Sequence, residues 1–178
     1  NAGGIRVIKY GSTSKYVVGL DVVTGGGAYL PLDNMLVKNA TGPDLKQFFI
    51  GSEGIFALTT SCRIQLIQKP EETNVVLIGF NEISSLDEIA KLINKFDVEA
   101  IEFFTKNSLR QVNKEYQNIN IDHLKNNYYL IVELFDRIQF TDTLEKIYKN
   151  ELAQEVIISS NSSQKESIWQ YRLLISES

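Results

Sequence analysis

Two kinds of residue in this chain have the means to act on a small molecule. Glycines recur in short turns, at Gly3-Gly4 and again at Gly51 and Gly54. A glycine lets backbone N–H groups come close to a phosphate because no Cβ blocks the approach. Near the other end, Arg172 offers a planar guanidinium that can grip a carboxylate through two parallel hydrogen bonds. Ser176, one helical turn later, faces the same side with a further donor. On residue type alone both sets have plainer meanings, as ordinary turn glycines and as a surface arginine of an amphipathic helix. His123 is the only histidine and sits in a polar loop, which reads as solvent-exposed rather than as a ligand. Cys62 is the only cysteine. Within an apolar strand it reads as a small buried core residue; alone, it excludes an intrachain disulfide and fits a reducing compartment, here taken as the cytoplasm.

These residues need a scaffold, and composition allows one. The 178 residues suffice for one sizeable core or two small ones. Apolar residues at 43% and charged residues at 22% are ordinary for a globular protein, which argues against disorder along the chain. A formal charge of −4 provides no general attraction to nucleic acid or to anionic membranes. No apolar run approaches the roughly 20 residues that span a bilayer, and no signal peptide precedes the first strand. The chain opens at Asn1 rather than at Met, inside an Asn-Ala-Gly-Gly turn, and the expectation is that it has been cut there.

The first third is rich in glycine and β-branched residues. Residues 5–10 read as a short strand. An alternating apolar run over 16–24 ends at Gly25-Gly26-Gly27, a hairpin turn, with 28–32 as the return strand. Gly42-Pro43-Asp44 leads into one or two helical turns over 44–50, and 55–68 reads as a strand, or as two with a kink. The polar stretch Lys69-Pro70-Glu71-Glu72-Thr73 marks a domain boundary, with regions 1–70 and 71–178. Beyond it strands and helices alternate. Strands are expected over 74–80, 99–104, 128–135 and 155–159. Helices are expected from Ser84-Ser85-Leu86-Asp87, which can cap one, then over 106–115, 141–152 and 164–177, with a polar loop at 116–127. Leu86, Ile89, Ala90, Ile93 and Phe96 form the buried stripe of the first of these helices. The pattern predicts an α+β architecture whose second region is a split βαβ unit, a ferredoxin-like plait, with an antiparallel or mixed sheet and helices on one face.

Several stretches together resemble one family, the vanillyl-alcohol-oxidase-type FAD-linked oxidases and dehydrogenases. Asn1-Ala2-Gly3-Gly4-Ile5-Arg6, Tyr10-Gly11 and Val17-Val18-Gly19-Leu20-Asp21-Val22-Val23 are similar to the run that follows its flavin-binding loop. The block from Lys38 to Gly54, ending Gly51-Ser52-Glu53-Gly54, resembles its second flavin block, and Leu66 to Pro70 the strand that leads out of the flavin domain. Ala100-Ile101-Glu102-Phe103-Phe104 resembles a cap-domain strand. Ile168-Trp169-Gln170-Tyr171-Arg172-Leu173-Leu174-Ile175-Ser176-Glu177 is similar to the family's "Leu-Trp-x-x-Arg-x-x-Ile-Ser/Thr-Glu" helix. The order and spacing hold over nearly the whole chain. Within the family the likeness is greatest to D-2-hydroxyglutarate and D-lactate dehydrogenases and to the glycolate oxidase D subunit.

The resemblance implies the second half of a flavin-binding domain at 1–70, followed by the first part of a substrate or cap domain at 71–178. It implies FAD as cofactor, with Asn1, Gly3, Gly4, Gly51, Glu53 and Gly54 near it, and a D-2-hydroxyacid substrate whose carboxylate Arg172 holds with help from Ser176. No residue of the chain is assigned a catalytic role. The family's metal-binding segment would lie after Ser178, so no metal site is expected here. Where the family usually carries Thr-Leu-Gly after the second glycine turn, this chain has Ile55-Phe56-Ala57, which loses a hydroxyl and adds a Cβ near the flavin. The implied first flavin-binding half would precede Asn1, so the chain by itself is expected to bind FAD weakly and to be inactive. Its sheet edges are expected to pair with a missing-half chain or a second copy. An inactive remnant or non-catalytic subunit is the alternative to an enzyme fragment, and an unrelated small-molecule-binding plait is a third.

Overall fold

The computed structural model describes residues 1–33, 41–69, 72–116, 121–135 and 137–176. The chain divides into two compact units, Asn1–Lys69 and Pro70–Ser178.

The first unit is a three-stranded antiparallel sheet in the order β2-β1-β3. Strand β1 (Val17–Thr24) turns through the glycines into β2 (Tyr29–Pro31), and β3 (Ala57–Ile64) lies on its other side. The turn closes with Gly27 in the left-handed region at φ 80° and its N–H donating to the Thr24 carbonyl. Leu20 and Val22 alternate inward from β1, the irregularity between Val17 and Gly19 brings Val17 to the same side with Ala57 of β3, and Leu30, Leu32, Phe49 and Ile50 pack on this small core. Phe49 belongs to α2 (Lys46–Phe49), a single turn that starts two residues later than the sequence suggests.

Residues 5–10 do not form a strand. Val7–Tyr10 is a helical turn, α1, followed by a 3-10 turn at Thr13–Tyr16. The turn satisfies its backbone locally, with Val7 N–H donating to Gly4 and Gly11 N–H donating back to Val7. Gly11 sits at φ 78°, where a glycine is not penalised. Cys62 is exposed, not buried. It lies in β3, which has only Ala57 covered, because that strand is the edge of the sheet. Residues 38–40 of the second family-like block lie outside the described residues, and 65–69 continue past β3 without strand structure.

The second unit is a four-stranded antiparallel sheet in the order β5-β6-β4-β7. It contains β4 (Asn74–Phe80), α3 (Ser85–Ile93), β5 (Val98–Thr105), α4 (Lys106–Tyr116), β6 (Tyr128–Leu134), α5 (Arg137–Lys149), β7 (Glu155–Ile158) and α6 (Ser162–Ser176). Strand β6 sits between β4 and β5, and β4 sits between β6 and β7. Both helical crossovers, α3 and α5, therefore span a split βαβ, which is the plait order.

The helices are not confined to one face. Helices α3 and α5 cover one side, where Ile89, Ile93, Phe140, Leu144 and Ile147 pack on Val76, Ile78, Leu130 and Val132. Helices α4 and α6 cover the other, where Leu109, Ile168 and Tyr171 pack on Val75, Leu77, Phe104, Tyr129 and Ile131. The signal for this was in the strands. The run Val75-Val76-Leu77-Ile78 is continuously apolar and buried, and an alternating pattern would have marked a sheet with one wet face. Ser84 does not cap α3 with its side chain, because the chain is already winding one residue earlier through Ser85 N–H to Glu82 and Leu86 N–H to Ile83. Part of the polar loop, 117–120, lies outside the described residues.

Candidate functional site

The glycine-bearing turn after α2 has an unusual backbone. Gly51, Glu53 and Gly54 all lie in the left-handed region, at φ 80°, 53° and 81°. Glycine takes that conformation without cost, whereas for Glu53 it is uncommon and marks a held turn. Ser52 N–H donates to Phe49 and Ile55 N–H to Ser52, which closes the turn on itself. The amides of Glu53 and Gly54 carry no hydrogen bond among the described residues. The turn rims an open hollow of about 430 Å3, lined by Asn1, Leu20, Phe49, Gly51, Glu53 and Ala57 among others. Val17 and Leu20 of β1 and Ala57, Leu58 and Thr59 of β3 line it from the sheet.

Asn1 reaches this hollow from the opposite end of the unit's sequence. A Cβ placed on Gly51 would stand 3.3 Å from the Asn1 Cβ, so glycine keeps the rim open where the two segments meet. Asn1 is fixed by its Oδ1, which accepts from the Ser14 N–H at 3.3 Å, and Ala2 by its carbonyl, which accepts from Thr13. Thus Asn1, Gly51, Glu53 and Gly54, fifty residues apart in sequence, line one concavity. Gly3 and Gly4 do not line it. A Cβ on Gly3 would crowd Val7 at 3.3 Å, and Gly4 supplies the carbonyl that starts α1. Their role in this structure is the entry to that turn. Ala57, where the family usually has glycine, is buried and lines the hollow, while Ile55 is 79% exposed on its outer side.

In the second unit Arg172 lies on the sheet-facing side of α6. Its Nε donates to Glu102 Oε2 of β5 at 2.6 Å, with both side chains mostly covered. Ile168, one turn before, and Tyr171 beside it are buried, and Tyr171 packs on Phe104 at 6.3 Å between ring centroids. Leu173 is exposed: helical phase turns 168, 171, 172 and 175 toward the sheet and leaves 173 outside. Ser176 is the last residue of α6, one turn beyond Arg172.

A second polar cluster, which the sequence did not suggest, closes the end of the same face. The Tyr129 hydroxyl accepts from the Asn126 N–H at 2.8 Å and donates to Glu155 at 3.2 Å, and the Asn126 amide also donates to Glu155 at 2.9 Å. His123 is exposed, as its loop position suggests, but its Nε2 is 2.9 Å from the buried Tyr171 hydroxyl. Burial pushes both tyrosine hydroxyls above their ordinary value, and the Glu155 carboxylate adds to it. For Tyr129 the Asn126 amide pulls the other way. The only legible hint was Gly79 inside an apolar strand, which often marks a close approach. A Cβ there would lie 2.5 Å from the Asn126 Nδ2.

Comparison with known proteins gives these positions a context. No protein-family model matches the chain. Its homologues are D-2-hydroxyglutarate dehydrogenases. It is 33% identical to the D-2-hydroxyglutarate dehydrogenase of Xanthomonas citri pv. viticola over 183 residues, which are 99% of this chain and 39% of that protein. It is 32% identical to the mitochondrial D-2-hydroxyglutarate dehydrogenase of Arabidopsis thaliana, covering 99% of this chain and 34% of the relative. The chain therefore spans between a third and two fifths of these relatives' length. Among solved structures, the fold recurs in an alkyldihydroxyacetonephosphate synthase at a TM-score of 0.65 and 17% identity, covering 98% of this chain and 35% of the other.

Proposed function

We propose that this chain supplies part of the cofactor cradle and part of the substrate site of an FAD-dependent dehydrogenase that converts a D-2-hydroxyacid to the 2-oxoacid. The single observation that carries this reading is the convergence of Asn1 with the Gly51–Gly54 turn on one hollow. Homology at about a third identity to D-2-hydroxyglutarate dehydrogenases favours that substrate over D-lactate or glycolate.

On this reading residues 1–70 are the second half of a flavin-binding domain and 71–178 the start of a substrate domain. The residues present fit such a cofactor in one tested respect, because a side chain at Gly51 would fill the rim against Asn1. The amides of Glu53 and Gly54, with the Asn1 side chain, would hold FAD there. When bound, the flavin supplies the hydride acceptor. What the chain's own residues contribute is binding and orientation. Arg172, with Ser176 one turn later, holds the substrate carboxylate and so fixes which face of the carbinol carbon is presented. A small-molecule hydroxyacid is the expected ligand, and among the described residues no helix is long and apolar enough to cross a membrane. The free Cys62 thiol, exposed on β3, suits a reducing compartment such as the cytoplasm.

A second reading, a non-catalytic subunit, is favoured by β3 itself. Leu58 is 70% exposed and Ile64 50%, on an edge strand with no outer partner among the described residues. Such an edge is suited to pairing with a polypeptide that completes the sheet, or with a second copy. The test is to titrate FAD into the chain, alone and mixed with a polypeptide carrying the uncovered part of a D-2-hydroxyglutarate dehydrogenase, and then to add D-2-hydroxyglutarate. Retained flavin that bleaches on adding the hydroxyacid supports the enzyme reading. Retained flavin that does not bleach supports the subunit reading. Failure to retain flavin in either mixture overturns both.

A further inference from the structure

The contact between Arg172 and Glu102 is more specific than a surface ion pair. Glu102 lies in β5 opposite Ile131 of β6, and strand alternation puts it on the same face as Phe104, beneath α6. Its carboxylate takes the Arg172 Nε–H at 2.6 Å. A guanidinium has two edges that can grip a carboxylate, one through Nε and one Nη and the other through the two Nη groups. Committing Nε to Glu102 leaves the terminal edge, and 27% of the Arg172 side chain remains exposed to present it.

We propose that Glu102 is a positioning residue for the substrate site: it fixes the plane of the Arg172 guanidinium so that a substrate carboxylate is taken end-on, through the two Nη groups. This rests on the reading of Arg172 as the carboxylate-binding residue. A flexible arginine spends rotamer freedom whenever it grips a ligand, and a head already held in plane spends less. The pair is not needed to seat the helix. Two turns upstream, Lys165 of α6 pairs with the fully buried Glu133 of β6 at 2.7 Å, and Ile168 and Tyr171 are buried between the two ion pairs. Glu102 is thus free to serve orientation rather than docking.

The experiment is calorimetric titration with D-2-hydroxyglutarate of the full chain and of Glu102→Ala, Glu102→Gln and Arg172→Lys, each mixed with a polypeptide carrying the uncovered part of a D-2-hydroxyglutarate dehydrogenase. Side-chain nitrogen spectra of the Arg172 Nε–H and far-ultraviolet circular dichroism are recorded on each. The expected result is loss of binding in Arg172→Lys and about tenfold weaker binding in Glu102→Ala, as when a gripping group is no longer preorganised. Glu102→Gln, whose amide oxygen still accepts the Nε–H, falls in between. The protected Nε–H signal disappears in Glu102→Ala while the dichroism stays unchanged. Binding that depends on Arg172 but is unaffected by Glu102→Ala overturns the positioning role alone. No binding by the unsubstituted chain, or binding indifferent to Arg172→Lys, overturns the reading of the site and this inference with it.

Discussion

Tyr129 and Tyr171 are the residues whose ionisation the fold most plainly opposes. Burial raises both hydroxyls above the ordinary value of 10.0, and the nearby Glu155 carboxylate acts in the same direction. The linkage follows directly. A folded-state value above the unfolded one contributes stability that is fully present below about pH 10 and is lost as pH rises through the folded value. Thermal unfolding followed from pH 8 to 12 is therefore expected to show falling stability on the alkaline side. Tyr129→Phe removes one titrating group and flattens that fall, and it also gives up the hydrogen bonds to Asn126 and Glu155. A variant whose alkaline slope matches the unsubstituted chain would show that this hydroxyl is not what the fold protects. At the same scale, Gly79 explains why a glycine interrupts an otherwise apolar strand: the Asn126 side chain occupies the space of its missing Cβ.

Among the elements, α6 illustrates how apolar packing and charge divide the work. Ile168 and Tyr171 bury against the sheet, each contributing about 1.5–3 kcal/mol of transfer energy. Lys165 meets Glu133, which also receives the Thr73 hydroxyl. Glu133 is wholly inaccessible while Lys165 reaches solvent. Removing the cation alone therefore takes a counter-charge away from a buried carboxylate. Lys165→Met is expected to lower stability by about 3 kcal/mol in urea unfolding, and the double variant Glu133→Leu with Lys165→Met to recover most of it. If the single variant is nearly neutral, solvent reaches Glu133 readily and the pair matters little. The surface pairs Asp87–Lys91 and Glu145–Lys149, four residues apart on exposed helix faces, are worth only tenths of that.

Across the whole molecule the two units differ in how well each can stand by itself. The second has a sheet covered on both faces by four helices and holds two apolar clusters. Among the described residues the first has four buried apolar residues in one small cluster, with Leu58, Phe56 and Leu66 largely exposed. A unit of this size with so small a core is marginal. Expressed separately, 70–178 is expected to unfold in one cooperative transition, while 1–69 shows weak or no cooperative unfolding and associates through its open edge. Circular dichroism melts with light scattering check this. A cooperative, monomeric 1–69 would mean that three strands and a hairpin suffice.

Local sequence determined most of the elements. Alternation over Val17–Thr24, the triple glycine after it, and the apolar stretch Asn74–Phe80 placed β1, its hairpin and β4 within a residue. Helical spacing of Leu86, Ile89 and Ile93 found the inner face of α3. These are short-range signals, fixed by side-chain period and turn geometry. Three things were decided only by tertiary structure. Val7 and Ile8 have strand propensity but wind into a helical turn, in a segment tied down where Thr13 donates back to the Ala2 carbonyl. Cys62 looks like a core residue until β3 proves to be the outer strand. The partnership of Arg172 with Glu102, seventy residues away, exists because β5 and α6 meet across the sheet face. No spacing rule connects positions that far apart; only the packed fold sets which charges face each other.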